Sequence, residues 1–125
     1  FKRVIARSPE DLQFISAFCS NSKVKIDNIK YLKKNKIFLI LLERIDKESN
    51  NQRINSVLKF EFIDYSKSKN INQNNVDIVL ELMAIQVFKV KNNFEITLLF
   101  SNNAIINLSA EIIEVTLEDL KKLDD

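Results

Sequence analysis

With no histidine among its 125 residues, this chain must draw any chemistry from carboxylates, lysines, four arginines and one cysteine. Absence of imidazole removes the usual general base, the commonest metal ligand and the usual pH switch. One cysteine without histidine cannot complete the familiar zinc or iron sites. Glu111, Glu114, Glu118 and Asp119 are the acids available for a hard cation. Their spacing is not that of a calcium loop, and the plainer reading is a solvated strand end with helix capping. Carboxylate-pair chemistry needs two acids flanking one cleft. Glu43 with Glu61, or Glu81 with Glu111, are the candidate pairs, although strand alternation explains most of them as outward residues. Glu43 and Arg44 end a strongly apolar run and need partners if buried. A structural ion pair is the favoured role, ahead of an exposed rim or a binding role. Glycine is also absent, which removes phosphate-cradling loops. No cofactor and no metal are expected.

The second chemical feature is a basic cluster of Lys23, Lys25, Lys30, Lys33, Lys34 and Lys36, with Tyr31 its one aromatic and Asp27 its one acid. A lysine face with an aromatic could hold single-stranded RNA. Without interleaved aromatics or arginines, a solvated face or a lysine-protected edge is favoured, and an acidic protein surface comes next. A net charge of +2 does not imply a nucleic-acid partner. Fifteen Lys against four Arg, with fifteen Asn and seventeen Ile, read as the habit of an AT-rich genome, so some lysines and asparagines carry no functional message. Cys19 has no histidine to activate it and reads as a small core hydrophobe.

These residues need a scaffold. Residues 2–7 predict a strand. Ser8-Pro9-Glu10-Asp11 opens a helix with a capping serine and a first-turn proline. Leu12, Ile15, Phe18 and Cys19 mark its apolar face, and it should end near Ser20 to Ser22. Strands and turns follow, with a bulge near Asp27-Asn28 and a polar turn at 33–36. Residues 37–45 read as a central strand covered on both faces, and residues 46–53 as a loop. In 57–65, Leu58, Phe60 and Phe62 share one face, with Val57, Ile63 and Tyr65 on the other. Residues 66–75 read as a polar connection and 76–90 as a long strand. Strands at 94–100 and 104–115 follow turns at 91–93 and 101–103, where asparagine takes the left-handed positions glycine would fill. A further bulge is expected at Ile112-Ile113. Thr116-Leu117-Glu118-Asp119 resembles a second capping box that would open a short terminal helix.

The predicted fold class is α+β, mainly antiparallel, in a single domain spanning 1–125. It would be a curved sheet or partly closed barrel with an N-terminal helix over one opening and a short C-terminal helix. The pleckstrin-homology-like barrel is one candidate. The absence of helical crossovers excludes a βαβ fold. Phe60, Phe62, Phe94 and Phe100 are expected inside. The 76–90 strand is apolar on both faces, with Val79, Met83, Ile85 and Val87 on the second. Either the helices or another subunit must cover it, which favours a homodimer or a protein partner. A lone cysteine fits a reducing compartment. No signal peptide is visible, and the apolar run Ile37 to Leu42 is too short for membrane insertion. A cytoplasmic location is expected. Phe1 is not an initiator residue, so a trimmed start is expected.

Four stretches carry a further likeness: 3–18 (RVIARSPEDLQFISAF), 31–48 (YLKKNKIFLILLERIDKE), 54–63 (INSVLKFEFI) joined to VDIVLELMAIQV, and 104–120 (AIINLSAEIIEVTLEDL). In order and spacing they resemble a family of small uncharacterised alphaproteobacterial proteins, grouped as a domain of unknown function. Relatives carry a glycine before Ala104 and a tryptophan near Asp46, and this chain has neither. The resemblance implies a bacterial cytoplasmic protein and brings no reaction, cofactor or catalytic residue. It draws attention to Arg44 and Asp46, which match a polar patch of that family. The favoured reading is a non-enzymatic binding or assembly domain, dimeric. The alternatives are a hydrolase or lyase using Arg44, Asp46 and Glu61, which needs a deep polar cleft, and weak RNA or ribosome association through Lys23 to Lys36, which needs Tyr31 exposed.

Overall fold

Ser8 starts the α-helix as its side chain predicts. In the computed structural model, which describes residues 2–120, its hydroxyl accepts the Asp11 N–H at 3.1 Å, and Asp11 Oδ2 accepts the Arg7 N–H at 3.2 Å. Helix α1 (Pro9–Cys19) turns Leu12, Ile15 and Cys19 into the core. The described residues also form ten strands: β1 (Arg3–Ala6), β2 (Ser22–Lys25), β3 (Ile29–Leu32), β4 (Ile37–Asp46), β5 (Gln52–Phe60), β6 (Ile63–Lys69), β7 (Val79–Val90), β8 (Asn93–Phe100), β9 (Ile105–Ala110) and β10 (Val115–Asp119).

All pairings are antiparallel and form one sheet in the order β1-β10-β5-β4-β2-β7-β8-β9-β6, with β3 beside the start of β4. Residues 26–28, where a bulge was expected, form a short 3₁₀ turn that separates β2 from β3 along the same side of β4. The sheet curls until its inner face closes on a single apolar core, to which β4, β5, β7, β8, β9 and β10 all contribute. It does not close into a barrel: β3 pairs with β4 only, β6 with β9 only. The helix packs mainly on β7, and also on β1 and β4. Ser16 Oγ accepts the Ile85 N–H at 2.9 Å.

The turn at 101–103 works as expected, with Asn102 and Asn103 left-handed, but at 91–93 the left-handed residue is Lys91 rather than an asparagine. Asn21, Asn50, Asn51 and Asn70 also take positive φ, and among the described residues Lys36 and Phe62 complete the set. Asparagine visits this region at the least cost after glycine.

Several expectations are corrected. The strand expected at 57–65 breaks at Glu61-Phe62, where Phe62 takes φ 59° and is 49% exposed rather than interior. The polar connection expected at 66–75 starts later, at Asn70, because β6 runs through Lys69. Val76 precedes β7, whose register shifts between Leu82 and Ala84. That shift turns Ile85 inward with Leu80 and Leu82, leaving Val79 and Met83 on the outer face. The bulge therefore accounts for Ile85, while Val79, Met83, Phe88 and Val90 remain exposed on the outer face. Strand β4 is central, but its second face is only half covered and Leu41 is exposed. Thr116 to Asp119 do not cap a helix: they are β10, paired with β5 and β1. The rest of the expected terminal helix, 121–125, lies outside the described residues.

Candidate functional site

Arg44 sits inside the protein because even-numbered residues of β4 face inward, after Phe38, Ile40 and Leu42. Its side chain is 2% exposed. The partner comes from the end of β10: Arg44 Nε donates to Asp119 Oδ1 at 2.8 Å and Nη2 to Oδ2 at 2.6 Å. Ser56 Oγ adds a bond to Oδ1 at 2.7 Å, and the Lys2 N–H one to Oδ2 at 2.9 Å. Four donors therefore converge on one carboxylate, the condition under which a buried ion pair is tolerated. Burial pushes the Asp119 carboxyl up, but the bonds from Arg44, Ser56 and Lys2 outweigh it and hold it at about 2. The bonds to Asp119 likewise raise the Arg44 guanidinium, against its burial. Cys19 lies near the pair, and burial pushes its thiol up to about 12, so it stays protonated and inert.

A depressed carboxyl in the folded state contributes stability above its unfolded value that is lost as pH falls through the folded one. For Asp119 the window runs from 3.8 down to about 2, and the loss is about 2 kcal/mol. Urea unfolding between pH 6 and pH 2 should show this fall in the wild type. It should be absent from the Arg44→Met/Asp119→Leu double variant.

Of the carboxylates proposed to work with Arg44, Asp46 lies near it: both line a pocket of about 260 Å³, and the Asp46 charge helps to raise the guanidinium. Glu61 lies beyond the far end of β5, whereas Arg44 pairs with Ile54, so the two are separated by about 20 Å of strand. Glu43 faces outward and meets Arg53 at 3.5 Å. Glu114 takes the exposed Arg7 at 3.0 Å, and Glu118 lies 4.0 Å from Arg3. Among the described residues no cluster of metal-ligating side chains forms.

The basic residues are shared among β2, β3 and the turn before β4. Lys23 and Lys25 point outward from β2, which lies inside the sheet rather than at an edge, and Lys23 is flanked by Glu43 and Glu81. Lys30 is 3.7 Å from Asp27. Lys33 and Lys34 lie in the turn before β4, and Lys36 bonds Asp64 at 3.1 Å. Tyr31 is half-buried: its ring lies 6.3 Å from that of Phe38, and its hydroxyl donates to the Ile63 carbonyl at 2.8 Å. The exposed aromatic needed for RNA stacking is not offered at this position.

A cavity lies where the sheet fails to close. At one end β3 and β6 nearly meet, held by the Tyr31 hydroxyl, by the Ile63 N–H donating to the Lys36 carbonyl at 2.8 Å, and by the Lys36–Asp64 pair. Away from this apex they diverge around a cavity of about 430 Å³, within the range of small-ligand sites. Ile29, Phe38, Ile71 and Ile106 give it apolar walls, while Asp27, Lys30, Ser66, Ser68 and Gln73 give it polar ones. Ser66 and Ser68 explain the opening. They pair with Leu108 and Ile106 of β9 and share their inward face. Where β5, β7 and β8 place Leu, Ile and Phe inward, β6 places two hydroxyls. The sequence reading did not single them out, although the alternation Ser66-Lys67-Ser68-Lys69 is the pattern of a strand with two polar faces.

Among the described residues no helix is long and apolar enough to cross a membrane. No functionally curated protein and no solved structure matches the chain. A family model described as a protein of unknown function (DUF2948) matches residues 3–124, a span that takes in the helix, the ion pair and the open seam. The chain belongs to that family.

Proposed function

We propose that this is a non-enzymatic binding domain whose ligand site is the seam between β3 and β6. The observation that carries this reading is the inward pair Ser66 and Ser68, which leaves a cavity with apolar walls and free hydroxyls where a closed barrel would have core. A hydrolase or lyase built on Arg44, Asp46 and Glu61 is less well supported, because Arg44 is engaged by Asp119 and Glu61 lies far away. The single buried thiol fits work in a reducing compartment such as the bacterial cytoplasm.

The test is titration with an apolar fluorescent dye, 1-anilinonaphthalene-8-sulfonate. Wild type should bind it at one site, and the Ser66→Leu/Ser68→Leu variant, which fills the cavity, should lose that site while keeping its fold by circular dichroism. Equal binding by both proteins would sink the reading.

Assembly is a second reading, favoured by Val79 and Met83, which are 47% and 46% exposed on the outer face of β7. A homodimer there should hold in light scattering at low and high salt and dissociate in Val79→Lys/Met83→Lys. A strict monomer at all concentrations would exclude it.

A further inference from the structure

We infer that the seam takes its ligand as an added β-strand, an extended peptide segment in which apolar and acidic side chains alternate. This rests on the seam being the binding site and goes on to name what occupies it.

Each strand bordering the seam has one unused edge. Among the described residues β6 pairs with β9 alone, through six residues, and β3 with β4 alone, through four. Among the described residues, no backbone hydrogen bond joins β3 to β6. On the unused side of a strand, the N–H and C=O of every second residue point outward, ready to pair with another backbone. A strand laid on that edge of β6 gains main-chain bonds, and its alternate side chains select it.

The β6 side chains fix what those alternate residues should be. Ser66 and Ser68 face the cavity, so neighbouring residues on an incoming strand would enter beside Phe38 and Ile106, where apolar groups fit. Lys67 and Lys69 face out, and among the described residues neither has a carboxylate within ion-pair distance. The incoming residues opposite them lie at cross-strand distance, where opposite charges attract and like charges repel. The sequence complementary to 66–69 is therefore apolar, acidic, apolar, acidic. A second copy of β6 does not fit this pattern, since antiparallel pairing centred on Ser68 would set Lys67 against Lys69.

The experiment uses labelled hexapeptides on the full chain at low salt, read by fluorescence anisotropy and by competition with the dye. Alternating Val-Glu peptide should bind and displace the dye. Alternating Val-Lys peptide, a scrambled Val-Glu peptide and one N-methylated on alternate amides should bind at least about tenfold more weakly. Lys67→Glu/Lys69→Glu, two exposed positions that leave the core intact, should lose the Val-Glu peptide and keep the dye. If the dye binds the seam but Val-Glu peptide does not, or binds both lysine forms equally, the strand inference fails while the binding-domain reading stands. If neither dye nor peptide binds, both fail.

Discussion

Replacing Asp119 with alanine should cost about 3–5 kcal/mol of folding free energy, the range for breaking a buried pair from one side. The variant leaves the Arg44 guanidinium enclosed, with Nε and Nη2 robbed of the acceptors they hold at 2.8 and 2.6 Å. It also strands the Ser56 hydroxyl and frees the N–H of Lys2, which ties the chain before β1 to the end of β10. Arg44→Met should cost a similar amount, because it leaves the carboxylate buried against only two neutral donors. The double variant Arg44→Met/Asp119→Leu removes both charges and should recover most of the loss, within about 1–2 kcal/mol of wild type. Urea denaturation of wild type, Arg44→Met, Asp119→Leu and the double variant forms a double-mutant cycle. A coupling energy near zero would show that the pair is not the clasp its geometry describes.

The second large effect is expected at Phe38. Its alanine variant should lose about 3 kcal/mol, the lower end of the range for a buried phenylalanine. Phe38 is at the centre of a cross-strand row, opposite Tyr31 on β3 and Phe60 on β5. The rings of Phe38 and Phe60 meet edge to face at 6.1 Å and 68°, an arrangement that adds about 0.5–1.5 kcal/mol beyond area. The low end is expected because Phe38 already borders the seam cavity, so its neighbours have room to relax. Phe38→Leu should cost about 1 kcal/mol and preserve the apolar wall. Equilibrium unfolding measures both. A loss under 1 kcal/mol for alanine would mean that the row does not hold β3 against the core.

What was legible in the sequence is local. Ser8 and Pro9 announce a helix through contacts within one turn, and the asparagine turns at 101–103 need only their own backbone preferences. The strands from Ile37 and Phe94 show in their apolar runs. What was hidden depends on partners remote in sequence. Thr116-Leu117-Glu118-Asp119 carries a sound capping signal, yet Asp119 is bonded to a guanidinium 75 residues away and its backbone is paired with β5 and β1. Tertiary pairing overrode a local preference. The break at Phe62 has no turn residue to betray it. β6 has no apolar face to reveal it, because its inward residues line an opening. The inward position of Arg44 was readable from the apolar run before it, but its hydrogen-bonded partner, 75 residues away, was not.

The left-handed turns have a consequence for the denatured chain. A chain without glycine is stiffer when unfolded, since every residue carries a β-carbon that narrows its φ/ψ choices. Each of the nine left-handed positions raises the energy of the native backbone. Each also spares the entropy that glycine would release on unfolding, about 0.4–1 kcal/mol per site. At the six asparagines the two effects nearly cancel, and a mutational drift away from glycine can run to completion there without unfolding the protein. At Phe62 and Lys36 the native cost is higher, and both flank the apex where β6 departs from β3. The contacts made there by Tyr31, Ile63 and Asp64 are what hold these two residues in a costly conformation.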